Sequence, residues 1–238
     1  MFKVITDTPV ALDSPDHIQP WGTKQDNSSN AKFLDQIEAL FGKPVKVMDI
    51  GCSGGQMIKD FFDRGNMQSI GLEGSDWSVV NARKNWPELH NTHLFTADVT
   101  KPFQVLWNDE PIKFNCITAW AHLEHIKTSD LALEFANVCN HLEDDGIFVG
   151  NCGDHHLTEV INGVKLHQTC LPEEQWYPII DQFFERLPWP TGWIPVRQDP
   201  YTFLFYLKKK KNAIVDYEFI EKYIAELKAM NNPEWYVV

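Results

Sequence analysis

A short glycine-rich segment that follows a carboxylate is the first part of the sequence that could do chemistry. Residues 49–55 read Asp-Ile-Gly-Cys-Ser-Gly-Gly and come directly after an apolar run. Glycines let the backbone approach a ligand closely, because no Cβ stands in the way. The dinucleotide fingerprint requires glycine where this chain has Ser53, and the segment lacks the Gly-Lys-Ser/Thr of a P-loop. Asp49 would disfavour a pyrophosphate, but its carboxylate could either organise the loop or meet a cationic ligand, and the alternative for the whole segment is a plain tight turn.

Two more acidic residues follow the next apolar segments along the chain. Glu73 closes the segment Ser69–Glu73, and Asp98 follows Thr92–Thr96. An acidic side chain at the end of the second strand can accept hydrogen bonds from both hydroxyls of a ribose. Open α/β sheets bind ligands at the carboxyl ends of their strands. The order of these residues therefore predicts one pocket that they share with the glycine-rich segment.

Histidines lie just beyond the apolar segment Phe114–Trp120. His122 and His125 stand where a reacting group should project, and histidine suits proton transfer near neutral pH. Both are therefore candidates for a catalytic base. The alternative is that the Glu124-His125 pair only caps or braces the following helix.

A second group of histidines occurs later in the chain. His155, His156 and His167 lie near Cys152 and Asp154. Their spacing matches no structural zinc pattern, so we expect no metal site. His167 is the member that we expect to reach an acceptor molecule.

The elements that must position these groups alternate along residues 31–150. Apolar segments with the length of buried strands are Val45–Ile50, Ser69–Glu73, Thr92–Thr96, Phe114–Trp120 and Gly146–Gly150. Apolar residues at helical spacing lie between and before them, for example Phe33, Leu34, Ile37, Leu40 and Phe41. Alternation of this kind predicts a parallel sheet that is covered by helices on both faces.

The last third of the chain departs from this alternation. Trp193–Gln198 and Tyr201–Lys208 have strand character and are separated only by Asp199-Pro200. A gap of this length cannot hold a crossover, so the two segments should pair antiparallel as a hairpin. The predicted fold is an α/β, Rossmann-like three-layer sandwich whose mostly parallel seven-stranded sheet ends in an antiparallel C-terminal hairpin.

Three regions of different character divide the chain. Residues 1–30 are rich in Pro, Ser and Asn and are expected to form an irregular N-terminal arm, and residues 31–210 form the α/β domain. Residues 211–238 contain an amphipathic helix with Ile220, Tyr223, Ile224 and Leu227 on one stripe. This helix is expected to pack on its own domain; the alternative is that it mediates a homodimer.

The motifs described above resemble those of the class I S-adenosylmethionine-dependent methyltransferase superfamily. Residues 49–55 are similar to its first motif, D-x-G-x-G-x-G, with Ser53 in place of a glycine. Residues 114–126 resemble the F-D-x-I-x-x-x-x-x-L-E-H-I pattern of its small-molecule branch, which includes ubiquinone-type and sugar O-methyltransferases, although Asn115 replaces the aspartate. The turn Leu142–Gly146 stands where the family often has L-K-P-G-G.

The resemblance implies that the cofactor is S-adenosyl-L-methionine and assigns its contacts. The methionine part should lie on the first loop, the ribose at Glu73, the adenine at Asp98 and Val99, and the thioether beside Ala119 and Trp120. The expected cofactor-binding residues are Asp49, Gly51, Cys52, Ser53, Gly54, Gly55, Glu73, Gly74, Asp98, Val99, Ala119 and Trp120.

The implied activity is O-methylation of a small-molecule or sugar-like acceptor. His125 or His122 would remove the proton of the acceptor hydroxyl. His167, Trp21 and Trp176 are expected to bind the acceptor, although tryptophans often belong to the core instead. The motifs of enzymes that methylate DNA bases are absent after the fourth strand.

Composition excludes several classes of protein. The formal net charge is −12 and disfavours binding to nucleic acid or to an anionic membrane surface. The sequence has neither an apolar run of membrane-spanning length nor the pattern of a signal peptide. Its five cysteines are scattered, which predicts a reducing, cytoplasmic setting.

Two other functions stay open at this level. A non-catalytic protein that binds an S-adenosyl ligand would need the same pocket but no base. A nicotinamide-dependent oxidoreductase would need the missing second glycine of the dinucleotide fingerprint.

Overall fold

The computed structural model describes residues 1–18, 28–154, 160–197, 200–211, 214–230, 232 and 234–237. The helices in this part of the chain are α1 (Pro15–Ile18), α2 (Ala31–Phe41), α3 (Gln56–Asp63), α4 (Asp76–Asn85), α5 (Leu131–His141), α6 (Glu173–Phe183) and α7 (Tyr217–Met230). Its longer strands are β1 (Phe2–Thr6), β2 (Val47–Ile50), β3 (Ser69–Glu73), β4 (Leu94–Thr96), β5 (Phe103–Trp107), β7 (Phe114–Trp120), β8 (Leu142–Gly153), β12 (Phe184–Arg186) and β13 (Thr202–Lys209). The two-residue strands are β6 (Glu110–Pro111), β9 (Val160–Ile161), β10 (Val164–Lys165), β11 (Thr169–Cys170) and β14 (Tyr236–Val237).

A seven-stranded sheet forms the centre of the fold, in the order β12-β13-β8-β7-β2-β3-β4. The five strands from β8 to β4 run parallel to their neighbours, whereas β13 pairs antiparallel with both β8 and β12. The predicted fold class, a mostly parallel sheet with an antiparallel C-terminal hairpin, is therefore confirmed.

The two faces of the sheet are buried against different layers of helices. Alternate residues of a strand point to opposite faces. Val47 of β2 accordingly packs in a cluster with Phe33 of α2 and Phe61 of α3. Its neighbour Met48 belongs to the larger cluster on the other face, which includes Phe135 of α5. This arrangement is the three-layer sandwich that the alternation of strands and helices predicts.

Local sequence explains where α2 begins and ends. The Asn30 side chain caps the helix by accepting a hydrogen bond from the backbone N–H of Lys32, and Gly42 follows the last turn with φ of +79°. Phe33, Leu34 and Ile37 are fully buried, as their helical spacing predicts.

The hairpin has a different first arm from the one expected. β13 agrees with the prediction, but its partner is β12, and residues 193–197 are not a strand. The Trp193 ring instead lies edge-on against Phe33, 6.2 Å between ring centroids. The same ring also packs against Tyr206 of β13, 5.7 Å between centroids, so this segment covers one face of the sheet instead of adding a strand to it. Gln198 and Asp199 lie outside the described residues.

The first 30 residues are more ordered than expected where the structure describes them. β1 pairs antiparallel with β5, and Phe2 is buried in the larger core cluster. The prediction of a wholly irregular arm is wrong for this segment, because β1 gains backbone partners about 100 residues away.

Residues near the C-terminus contact the same domain. Ile220, Ile224 and Leu227 of α7 are buried in the larger cluster, and β14 pairs with β11. None of the described helices combines the length and the apolar character needed to cross a bilayer. The boundaries 1–30, 31–210 and 211–238 stay a prediction.

Candidate active site

A cavity of about 430 Å³ opens at the carboxyl ends of the parallel strands. Its walls come from the turns after β2, β3, β4 and β7, from residues 11–17 of the N-terminal segment, and from His167 and Gln168 after β10. Loops from several parallel strands meet at this edge because parallel strands all end there. The volume lies within the range of small-molecule sites, about 300–1,000 Å³.

The turn after β2 is a tight loop with left-handed backbone conformations. Gly51 has φ of +66° and Ser53 has φ of +51°. The N–H groups of Gly51 and Cys52 both donate to the carbonyl of Leu72, at 2.9 and 3.1 Å. These bonds tie the loop to β3. The loop therefore presents its backbone to the cavity at a fixed position.

Glu73 connects two loops at the cavity. Its carboxylate accepts a hydrogen bond from the N–H of Ser53 and another from the N–H of Ser75, both at 2.9 Å. The side chain is 6% exposed and lines the cavity. Charge-assisted bonds of this kind are stronger than neutral ones. Glu73 therefore holds the loop after β2 and the loop after β3 in one geometry.

Asp49 lies beneath this loop as a buried acid. Its Oδ1 accepts a 2.6 Å hydrogen bond from the hydroxyl of Thr118 on β7. Burial raises the pKa of the Asp49 carboxyl to about 7, although the bond from Thr118 and the nearby His122 lower it. A cation in the cavity would favour the ionised form of this group.

Asp98 follows β4 and is held by its own turn. Its Oδ1 accepts both the backbone N–H of Thr100, at 3.0 Å, and the Thr100 hydroxyl, at 2.6 Å. Its backbone N–H donates to Thr8 at 3.0 Å. Asp98 and the neighbouring Val99 are each 5% exposed and line the cavity.

The N-terminal segment covers part of the cavity. The N–H of Ala11 donates to the carbonyl of Gly74 at 2.9 Å, and a Cβ on Gly74 would lie only 3.0 Å from that of Ala11. Asp13 accepts from Lys127 at 3.3 Å, and this bond lowers the pKa of Asp13. The segment thus bridges the turns after β3 and β7.

The turn after β7 begins with a strained residue. Ala121 has φ of +49°, and its N–H donates to the side chain of Asn151 at 2.8 Å. Trp120 stands edge-on to Phe33, at 5.1 Å between ring centroids, and lines the cavity. Its indole N–H is buried and has no hydrogen-bond partner among the residues that the structure describes.

His122 is held by a buried acid rather than directed freely into the cavity. Its Nε2 lies 3.0 Å from Oε1 of Glu134, and the exposed fractions of the two side chains are 12% and 0%. Burial alone would lower the pKa of His122, but the charge and hydrogen bond of Glu134 raise it. The ring also fills the space beside Gly51. His122 therefore positions the loop after β2.

Glu124, His125 and His167 form a compact cluster at the other end of the cavity wall. One donor atom from each of the three lies within 4.8 Å of the other two. The rings of His125 and His167 meet edge to face, with centroids 4.7 Å apart. Glu124 and His167 are buried, at 1% and 3% exposure, and His125 is half-buried.

Most residues expected at the cofactor and the acceptor do line the cavity. These are Asp49, Gly51, Cys52, Ser53, Glu73, Gly74, Asp98, Val99, Trp120, His122, His125 and His167. Gly54, Gly55 and Ala119 lie behind this surface and do not line it. At Gly55 an added Cβ would lie 2.4 Å from Leu94, so this glycine allows close packing of the loop against β4.

The two tryptophans expected at the acceptor, Trp176 and Trp21, are not among the described residues that line the cavity. Trp176 does not line the cavity: it is fully buried in the larger core cluster, and its indole N–H donates to Leu171 at 3.2 Å. Its placement at the acceptor is therefore corrected. Trp21, like His155 and His156, lies outside the described residues.

Sequence reasoning missed the contribution of the N-terminal segment and of Glu124. Nothing in the composition of residues 11–17 indicates that they line a cavity. Glu124 was visible within the Leu-Glu-His-Ile motif, but only the fold shows that it lies beside His167.

Comparison with known proteins gives a family match and a shared fold. Residues 23–189 match the model of a methyltransferase domain family. The similar structures include CcbJ, a methyltransferase from Streptomyces caelestis; the match is 10% identical, covers 86% of this chain and 98% of CcbJ, and has a TM-score of 0.58.

Two other solved structures are similar at the same level. CalS10 is an amino pentose methyltransferase of calicheamicin biosynthesis from Micromonospora echinaspora, and its structure was solved with SAM bound. The match is 13% identical, covers 81% of this chain and 96% of CalS10, and has a TM-score of 0.53. The glycopeptide N-methyltransferase MtfA was solved with S-adenosyl-L-methionine. The match is 14% identical, covers 79% of this chain and 90% of MtfA, and has a TM-score of 0.53. At these identities the similarity establishes the fold. Among curated proteins, none matches the sequence.

Proposed function

This chain belongs to the methyltransferase domain family and is an enzyme with the class I fold that uses S-adenosylmethionine as its cofactor; we propose that it methylates a hydroxyl group of a small-molecule or sugar-like acceptor. We further propose that no nucleic acid takes part and that the enzyme works in the cytoplasm. A homodimer stays a prediction.

One observation carries the proposed cofactor contacts: acids from three neighbouring strand ends line the same cavity. Asp49, Glu73 and Asp98 are each buried and each reach this cavity. S-Adenosylmethionine has an ammonium group, a sulfonium group and no phosphate, so Asp49 beneath the glycine-rich loop suits it and would disfavour the pyrophosphate of a dinucleotide. The carboxylates of Asp49, Glu73 and Asp98 therefore fit the cofactor.

The proposed contacts follow from the position of each acid. The methionine part lies over Gly51 and Ser53, above Asp49. Both oxygens of Glu73 already hold loop amides, and their remaining lone pairs can accept from the two ribose hydroxyls. Asp98, whose turn is fixed by Thr100, is assigned to the adenine amino group.

S-Adenosylmethionine supplies a methyl group that its positively charged sulfur already activates. The residues of the chain must then align an acceptor oxygen in line with the carbon–sulfur bond and allow its proton to leave. We assign the acceptor hydroxyl to the end of the cavity formed by His125 and His167, because both line it and their rings are in contact. His125 is the proposed catalytic histidine. His122, bound to Glu134, is proposed as a positioning residue.

Calorimetry with S-adenosylhomocysteine, and with NAD as the competing ligand, tests the cofactor site. We expect binding of the first and none of the second. Binding of NAD alone would overturn the assignment and favour an oxidoreductase.

Transfer of a labelled methyl group to a panel of hydroxylated sugars and small aromatic compounds tests the reaction. The product's methylated atom is identified by mass spectrometry. We expect His125→Asn to lower kcat by about 10²–10⁴-fold with unchanged affinity for S-adenosylhomocysteine. Methylation of nitrogen, or full activity of the variant, would contradict the proposed chemistry. Binding without turnover on any acceptor would favour a non-catalytic role.

A further inference from the structure

The carboxylate of Glu124 is buried without the hydrogen bonds that such a group needs. The side chain is 1% exposed, and neither Oε1 nor Oε2 has a hydrogen-bond partner in the described part of the chain. The weakly donating Cys152 thiol lies near this carboxylate; burial, and then the charge of Glu124, raise the pKa of that thiol. Buried carboxylates are costly unless they are paired or bind a metal ion.

Two imidazoles stand beside this unpaired carboxylate. The donor atoms of Glu124, His125 and His167 all lie within 4.8 Å of one another, and all three residues line the cavity. Metal–nitrogen and metal–oxygen bonds of about 2.0–2.2 Å would bring such donors roughly 3–4 Å apart. Small side-chain rotations therefore suffice to close the three donors around one ion.

The backbone around the cluster is fixed by hydrogen bonds between its two segments. The N–H of Gln168 donates to the carbonyl of Glu124 at 2.7 Å. The hydroxyl of Thr169 donates to the carbonyl of Ile126 at 2.7 Å and lies 2.7 Å from that of Thr128. These bonds hold the segment that carries His167 against the turn that carries Glu124 and His125, as a preorganised ligand set requires.

We propose that Glu124, His125 and His167 bind a divalent transition-metal ion such as Zn²⁺ or Mn²⁺. Two imidazoles and one carboxylate form a donor set that such ions use in sites with open positions. Because the three residues line the cavity, an ion that they hold would be accessible to an acceptor there. This proposal replaces the expectation of no metal, which grouped His167 with Cys152, Asp154, His155 and His156 and rested on their spacing along the chain.

The ion would activate the acceptor hydroxyl for methyl transfer; this role rests on the proposed function. An acceptor hydroxyl that binds the ion has a lowered pKa, so its O–H bond breaks and the proton passes to water. The oxygen lone pair then forms the bond to the methyl carbon while the carbon–sulfur bond breaks. The products are the methyl ether, S-adenosylhomocysteine and one proton. His125 thus acts as a metal ligand and not as a free base.

The test is metal binding by the full chain after removal of metal with a chelator. Zn²⁺, Mn²⁺ and Co²⁺ are added singly, bound metal is measured by equilibrium dialysis with mass spectrometry, and Co²⁺ is also followed by its visible absorption. We expect one ion per chain, with at least 10-fold weaker binding in Glu124→Gln and in His167→Asn. Matched controls are Glu110→Gln and His90→Asn, which lie outside the cavity and should bind like the parent protein.

Calorimetry with S-adenosylhomocysteine on the same samples separates the two proposals. Retained binding of this ligand in Glu124→Gln shows that the variant is folded and that the cofactor site is intact. The metal proposal is overturned if the parent protein binds no ion stoichiometrically, or if both variants bind it as tightly as the parent. Failure of S-adenosylhomocysteine to bind the parent protein would instead count against the proposed cofactor site.

Discussion

The imidazole of His122 occupies the space that a side chain on Gly51 would need. A Cβ added to Gly51 would lie 2.4 Å from Nδ1 of His122, and the backbone of Gly51 has φ of +66°. The two residues come from loops after neighbouring strands, β2 and β7. Close packing of these loops therefore depends on glycine at one position and on a fixed histidine ring at the other.

Gly51→Ala should be markedly destabilising, because it adds a steric clash to backbone strain. We expect a loss of about 2 kcal/mol or more in the free energy of unfolding, measured by urea denaturation. Gly65→Ala is the matched control: its φ is +83°, but nothing lies within 4 Å of an added Cβ, so only the strain of about 1 kcal/mol applies. Equal losses in the two variants would contradict the clash, whereas recovery in Gly51→Ala/His122→Ala would support it.

Glu73→Gln should weaken binding of the cofactor product. The amide keeps one acceptor oxygen, so one of the two charge-assisted bonds to the Ser53 and Ser75 amides is lost. A hydrogen bond to a charged group contributes about 1.5–3 kcal/mol, which corresponds to roughly 10–100-fold in Kd. Calorimetry with S-adenosylhomocysteine measures this change. Glu110→Gln on the exposed strand β6 is the control. Unchanged affinity in Glu73→Gln would contradict the proposed contact of Glu73 with the cofactor.

Cofactor binding should release a proton from Asp49. Burial raises the pKa of this carboxyl to about 7, with opposing effects of Thr118 and His122. Below that pH the empty site is mostly protonated, and a cationic ligand favours the ionised form. Affinity for S-adenosylmethionine should therefore increase as pH rises from 6 to 8.

Calorimetry at pH 6.5 in two buffers of different ionisation enthalpy measures the released proton directly. In Asp49→Asn the group cannot titrate, so the release should disappear. An equal release in the variant would assign the proton to another group, such as His122.

Glu134→Gln should lower both the stability of the protein and the pKa of His122. Burial lowers that pKa, but Glu134 raises it above 6.5 overall. A group with a raised folded pKa contributes stability that is full below its unfolded pKa and is lost as pH rises through its folded pKa. The difference between parent and variant, about 3–5 kcal/mol at pH 6, should therefore shrink towards pH 9.

Urea denaturation at several pH values, with NMR titration of His122, checks this prediction. Glu143→Gln is the control, because its pairing with Lys46 is partly exposed and should contribute under about 1 kcal/mol. A difference that grows with pH would contradict the role given to Glu134.

The sequence alone predicted the parts of the site that depend on local signals. The glycines of the first loop, the acids Glu73 and Asp98 and the strands that carry them are each defined by neighbours along the chain. Their convergence in one cavity follows because parallel strands end at the same edge of a sheet. This is why the fold class could be predicted together with the shared cavity that most of the expected cofactor-binding residues line.

Contacts between distant segments were decided only by the tertiary structure. β1 falls in the segment predicted as an irregular arm and is a strand because it pairs with β5. The short strand β12 takes the place expected for residues 193–198. Glu124 and His167 are 43 residues apart, so no local spacing could reveal that their side chains share a point in space. Local sequence defines a turn or a strand through short-range sterics and periodicity, whereas a cluster of side chains depends on how the whole chain packs.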